Sequence, residues 1–151
     1  MGNEHVLVVD GGANCPSSPP RQIVNVAVGI LIDGDGRFLL TSRPVGKAYA
    51  GYWEFPGGKL EREESVVRAL RRELQEEIGI TVGAVTEWRQ QLVDYPHALV
   101  RLHFCKVFEW SGNLVMREGQ TYTWERLPVR CHPVLPGTVP VLHWLAEEEA
   151  A

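Results

Sequence analysis

A chain of 151 residues with 44% hydrophobic and 23% charged residues has the proportions of one globular domain. At that length it buries roughly 70% of its unfolded surface and needs no disulfide or metal to fold. No apolar run approaches the ~20 residues of a membrane helix, and a net charge of −4 exerts no pull towards nucleic-acid polymers or anionic membranes. The start Met1-Gly2-Asn3-Glu4-His5 lacks the basic segment of a secretory leader. The cysteines Cys15, Cys105 and Cys131 have no metal-like spacing and suit the reduced thiols of a cytoplasmic protein.

From the N-terminus, Asp10-Gly11-Gly12-Ala13-Asn14-Cys15-Pro16-Ser17-Ser18-Pro19-Pro20 is too rich in breakers for a helix or a central strand. Val6-Leu7-Val8-Val9 before it could add an edge strand, but residues 1–22 as a whole read as a mobile tail ahead of a domain over residues 23–151. Ile23–Ile32 is rich in β-branched residues, Asp33-Gly34-Asp35-Gly36 is a turn sequence, and Arg37-Phe38-Leu39-Leu40-Thr41 completes an expected hairpin. The Asp-x-Asp-Gly pattern also opens calcium loops, but the glutamate at the twelfth position and the flanking helix are missing. In Ser65–Ile78, Val67, Leu70, Leu74 and Ile78 form an apolar helical stripe, with Ser65 as N-cap and Gly79 as left-handed C-cap. Further strands are expected over Val82–Asp94, over Leu99–Trp110 with alternation around Leu102, Phe104 and Val107, and over Gln120–Glu125. A second helix, Val139–Glu149, has Pro140 in its first turn and turns Val141, Leu142 and Leu145 inward. Strands dominate and two helices cover both faces of a mixed sheet, which is a layered α/β arrangement.

The chemistry concentrates in Gly57-Gly58-Lys59-Leu60-Glu61-Arg62-Glu63-Glu64 and in Arg72-Glu73-Leu74-Gln75-Glu76-Glu77-Ile78-Gly79-Ile80. On a helix, Glu73, Glu76 and Glu77 occupy one stripe about 100° wide. Carboxylates packed so closely repel one another unless a cation sits among them, and an oxygen-loving divalent ion such as Mg²⁺ or Mn²⁺ is the natural solution. The bland alternative is a solvated helix carrying the i,i+4 ion pairs Glu64–Arg68 and Arg72–Glu76. Spacing decides against it. The segment fits Gly-x5-Glu-x7-Arg-Glu-U-x-Glu-Glu-x-Gly-U, with U aliphatic, at Gly58, Glu64, Arg72, Glu73, Leu74, Glu76, Glu77, Gly79 and Ile80. A chance match is on the order of one in ten million per chain.

This pattern resembles the signature box of the Nudix hydrolases. The resemblance implies an α/β/α sandwich and Mg²⁺-dependent hydrolysis, Mn²⁺ being a substitute, of a nucleoside diphosphate linked to another group. It spans roughly residues 23 to 145, and Glu54-Phe55-Pro56-Gly57-Gly58-Lys59 is similar to the entry of the box in the MutT-type 8-oxo-dGTP diphosphatases. The implied activity is conversion of 8-oxo-dGTP to 8-oxo-dGMP and pyrophosphate, which cleanses the nucleotide pool. The implied metal shell is the Gly57 carbonyl with Glu73, Glu76, Glu77 and Glu118. The resemblance also implies that one of these glutamates, Glu73 first among them, helps to deprotonate the attacking water, and that Arg72 orients the carboxylates. The implied substrate-binding residues are Arg43, Phe55, Gly58, Lys59, His97 and Thr138. Thr138 stands in place of an asparagine and His97-Ala98 in place of an acidic and basic pair, so the base preference stays open. ADP-ribose, a sugar nucleotide, another triphosphate, and a non-catalytic nucleotide-binding module remain alternatives. A monomer is expected, with a dimer left open.

Overall fold

The β-branched run after Gln22 forms strand β2, Ile23–Leu31. Both of its edges are occupied, by β8 (Leu99–Val107) in parallel and by β5 (Gly57–Lys59) antiparallel. The structure, a computed structural model, describes residues 4–9 and 21–151. Beyond β8 lies β7 (Val85–Asp94), and beyond that β1 (Val6–Val8), giving a mixed sheet in the order β1-β7-β8-β2-β5.

Strand alternation assigns each side chain to a layer. On β2, Ala27 and Leu31 face helix α1 (Val66–Ile78), whose Ala69, Leu70, Leu74 and Ile78 are buried; Val28 and Ile30 face helix α2 (Val139–Ala150) through Val141 and Leu145. Helices on both faces make the α/β/α sandwich. On β8, Phe104 packs on the α2 side while Cys105 and Val107 pack on the α1 side. The expected single alternation around Leu102, Phe104 and Val107 is corrected accordingly, because a strand covered on both faces carries apolar residues at either phase. Burial pushes the Cys105 thiol up to about 12, which leaves it unreactive.

The expected hairpin forms at one rung only. Asp33 Oδ1 accepts from the amides of Asp35 and Arg37, and Ile32 bridges to Phe38. With both edges of β2 taken, strand β3 (Phe38–Ser42) leaves for a second antiparallel sheet, between β4 (Trp53–Glu54) and β10 (Tyr122–Glu125). The strands expected over Val82–Asp94 and Leu99–Trp110 are each interrupted, and short strands β6 (Thr81–Val82) and β9 (Trp110–Ser111) pair with one another. Trp88 is the inserted residue of a bulge in β7, set edge-on against Trp144 of α2 at 5.8 Å.

The N-terminal expectation divides. Val6–Val8 is a strand rather than part of a tail, parallel to Leu92–Asp94, with the Val9 amide donating to Asp94 O at 2.9 Å. Ion pairs Glu4–Arg101 and Arg21–Asp94 flank it. The physical reason is the free edge of β7, which an apolar run of strand length covers. The breaker-rich residues 10–20 lie outside the described residues. Among the described residues no helix is long and apolar enough to cross a membrane.

Candidate active site

β5 runs directly into the loop before α1, so the end of the strand and one face of the helix close on each other. A Cβ on Gly57 would lie 2.0 Å from the Ala27 carbonyl oxygen, and one on Gly58 would lie 2.2 Å from the Glu73 carboxyl carbon. Gly58 is therefore glycine because the Glu73 carboxylate occupies the space of its missing side chain. Gly58→Ala should displace that carboxylate, cutting kcat at least about tenfold by its misplacement while the melting temperature moves by only a few degrees. Steady-state kinetics beside a thermal melt checks both.

Arg72 organises the box. Its Nε and Nη2 donate to the two Glu64 carboxylate oxygens at 2.8 Å each, Nη1 donates to Glu73 at 2.9 Å and Glu76 at 3.2 Å, and Nη2 also donates to the Lys59 carbonyl at 3.0 Å. All five guanidinium donors are thereby spent within the loop and helix. The Arg72 hydrogen bonds hold the Glu64 carboxyl down to about 2. The i,i+4 pair Arg72–Glu76 exists as the bland reading expected, whereas Glu64 takes Arg72 as its partner. Lys59 keeps an exposed side chain.

Glu77 lies on the other flank of the stripe. The segment after β9 docks on the carbonyl end of α1, where the Val115 amide donates to Ile78 O at 2.9 Å and the Arg117 amide to Glu77 O at 3.0 Å. Exposed carbonyls at a helix C-terminus accept such bonds readily, and the docking delivers Glu118 beside Glu77. The buried Gln120 side chain accepts from the Glu118 amide at 2.9 Å and fixes that approach. Burial, then the charges of Glu118, Glu73 and Glu54, push the Glu77 carboxyl up to about 8 against an opposing effect of Lys47. Glu76 is turned outwards, its side chain 59% exposed. Among the described residues no three acidic or histidine side chains close to ligating distance. Arg72 and Lys47 each hold part of the set instead.

Beyond the carboxylates lies the pair Arg43–Glu54. Arg43 Nη1 donates to both Glu54 oxygens at 3.0 and 3.2 Å and Nε donates to the Ala48 carbonyl at 2.6 Å. Among the described residues nothing accepts from Nη2. Burial raises the Glu54 carboxyl, and Arg43 and Lys47 oppose it. Next come Tyr49, Tyr52, Tyr95 and His97, with ring centroids 5.3 to 6.0 Å apart. The Gly137 amide donates to the Tyr95 hydroxyl at 3.1 Å. Trp53 exchanges backbone bonds with Pro133 and Leu135, which positions the 3-10 turn Pro136–Thr138. Thr138 is buried where that turn enters α2 and makes no side-chain capping bond.

One expected site residue is misplaced. Phe55 is 3% exposed and packs in the core against Phe38, centroids 5.7 Å apart, so it offers no ring face to a base. Alternation explains this: Glu54 faces Arg43, and its neighbour Phe55 points the other way. The structure adds Lys47, Tyr49, Glu54 and Tyr95, none of which belongs to the box. Glu54 opens the box-entry segment and Lys47 and Tyr49 lie between it and Arg43, whereas Tyr95 lies beyond the box, immediately after β7. Cavities of about 180 and 350 Å³, at the β7 bulge and beside the Asp33 turn, share no residue with this site.

An oxygen-only set of side chains on a loop–helix edge is of the kind that suits a hard divalent cation. The NUDIX domain family model matches residues 23–145, and the chain belongs to that family. It is 35% identical over 129 residues to an 8-oxo-dGTP diphosphatase from Haemophilus influenzae, covering 85% of this chain and 95% of that one. It is 39% identical over 121 residues to a CTP pyrophosphohydrolase from Escherichia coli K12, covering 76% and 86%. The crystal structure of a MutT NUDIX hydrolase from Burkholderia pseudomallei superposes with a TM-score of 0.75 at 26% identity, covering 82% of this chain and 98% of that one.

Proposed function

We propose that this protein hydrolyses nucleoside triphosphates to the monophosphate and pyrophosphate, with Mg²⁺ as its cation and Mn²⁺ as a substitute, and that 8-oxo-dGTP is its substrate in nucleotide-pool sanitisation. The observation that carries the reading is the Glu73 carboxylate seated over Gly58, with Glu77 one turn on along α1 and Glu118 delivered beside Glu77 by the docked segment. The site fits a hard divalent cation, since the Gly57 carbonyl and the carboxylates of Glu73, Glu76, Glu77 and Glu118 are all oxygen donors. When bound, that cation would offset phosphate charge and lower the pKa of the attacking water. Glu73, oriented by Arg72 Nη1, would accept the proton of the attacking water. Glycine at 57 and 58 lets the backbone approach the phosphates, and the exposed Lys59 meets their charge. A substrate drawn from the free nucleotide pool supports a cytoplasmic enzyme, and we infer a monomer, with a dimer as the alternative.

At the base end, Arg43 is held by Glu54 and Ala48 with its Nη2 donors left for a purine acceptor. His97 and Thr138 lie at the same end. Arg43→Ala should raise KM for 8-oxo-dGTP far more than it lowers kcat, because the lost contact is shared by ground and transition states. A second reading, a pyrimidine triphosphate, is favoured by the likeness to the CTP pyrophosphohydrolase. The deciding experiment is kcat/KM for 8-oxo-dGTP, dGTP, CTP and ADP-ribose under Mg²⁺. A preference for 8-oxo-dGTP supports the first reading, a preference for CTP the second, and a preference for ADP-ribose overturns both.

A further inference from the structure

Lys47 belongs to no motif, yet it reaches the centre of the site. It lies in the loop between β3 and β4, which winds through left-handed residues at Gly46 (φ 97°), Tyr49 (φ 58°) and Gly51 (φ 85°). That conformation costs energy at a tyrosine. It is held by the bonds Gly51 N to Arg43 O at 2.8 Å and Tyr52 N to Tyr49 O at 3.0 Å. The winding aims one loop at both ends of the site. Tyr49 packs on Tyr95 and His97, while Lys47 Nζ lies 3.6 Å from Glu118 Oε2. The lysine charge is also felt at Glu54 and Glu77.

The cations around the carboxylates are not equivalent. Arg72 has spent its five donors, and Arg43 is fixed on Glu54. The Lys47–Glu118 contact is too long for a hydrogen bond, and the two side chains are 48% and 41% exposed. An ammonium on a flexible stem, loosely paired among several carboxylates, is a movable charge. We propose that Lys47 is a further substrate-binding residue, which pairs with Glu118 before a cation binds and turns onto the phosphate chain once Glu118 binds the cation. The inference rests on the cation-dependent phosphohydrolase reading above. Entry of a cation with a polyphosphate changes the excess charge near Lys47 from carboxylate to phosphate, so the ammonium stays attracted but changes partner.

This exchange makes two effects of opposite sign. Lys47→Gln removes a competitor for Glu118, so Mn²⁺ should bind the nucleotide-free protein more tightly, by about threefold. It also removes a phosphate contact, so KM of the best-hydrolysed triphosphate should rise by about fivefold or more, with a smaller fall in kcat. Lys47→Arg should keep KM within about twofold, since the charge is retained. A merely structural role would weaken both kinds of binding together. The experiment is calorimetric titration of Mn²⁺ into wild type and Lys47→Gln without nucleotide, followed by steady-state kinetics on all three proteins. Unchanged or weaker Mn²⁺ binding by Lys47→Gln, or an unchanged KM, overturns the inference alone. Wild-type protein that binds no Mn²⁺ overturns the metal-site reading as well.

Discussion

Glu77→Gln should lower kcat on a nucleoside triphosphate at least about a hundredfold, equivalent to about 2.7 kcal/mol of transition-state stabilisation. The substitution keeps the shape of the side chain and removes one of the charged oxygen donors proposed for the cation, beside the Arg117–Gln120 segment docked on the end of α1. It should not harm the fold. In a chelator, Glu77 is a carboxylate whose ionised form is opposed by burial and by Glu118, Glu73 and Glu54. A neutral amide removes that opposition, so the melting temperature in EDTA should hold or rise. Activity lost with stability kept identifies a functional carboxylate, whereas near-normal turnover at saturating Mg²⁺ would remove Glu77 from the metal shell.

Phe55→Ala should act in the opposite way. Its ring fills the α2-side core with Phe38, Leu40, Phe104 and Val141, and its removal should cost about 3–5 kcal/mol of stability by the loss of burial and the cavity left behind. Urea denaturation measures this directly. KM of whatever variant remains folded should change little, because the ring meets no substrate. A variant of normal stability with a raised KM would restore Phe55 to the base site.

Both predictions turn on where local pattern stops being informative. The helix was legible because Ser65 and Gly79 bound it as capping chemistry requires. The box was legible because its fixed residues, from Gly58 through Glu64 to Ile80, match at every position; the helical stripe of Glu73, Glu76 and Glu77 alone would also fit a solvated helix. The sandwich was legible because two apolar stripes need two faces of a sheet. Sheet partnership was less so. Nothing local to Arg37–Thr41 reveals that β5 and β8 already occupy both edges of β2, so a good hairpin sequence makes one rung and departs. Val6–Val8 likewise finds its place only because β7 has a free edge. At the site, Phe55 was misjudged because adjacent residues of an extended segment point to opposite sides, and which side is the pocket depends on the distant Arg43–Glu54 pair. Lys47 and Tyr95 were invisible for the same reason. Their partners Glu118 and Gly137 are far along the chain.

The most direct test of the central claim is the identity of the phosphate product. Wild-type protein incubated with 8-oxo-dGTP and Mg²⁺, followed by ³¹P NMR, should release pyrophosphate and 8-oxo-dGMP in equal amounts, with no release in EDTA. Release of orthophosphate and the nucleoside diphosphate, or turnover undiminished by EDTA, would contradict it.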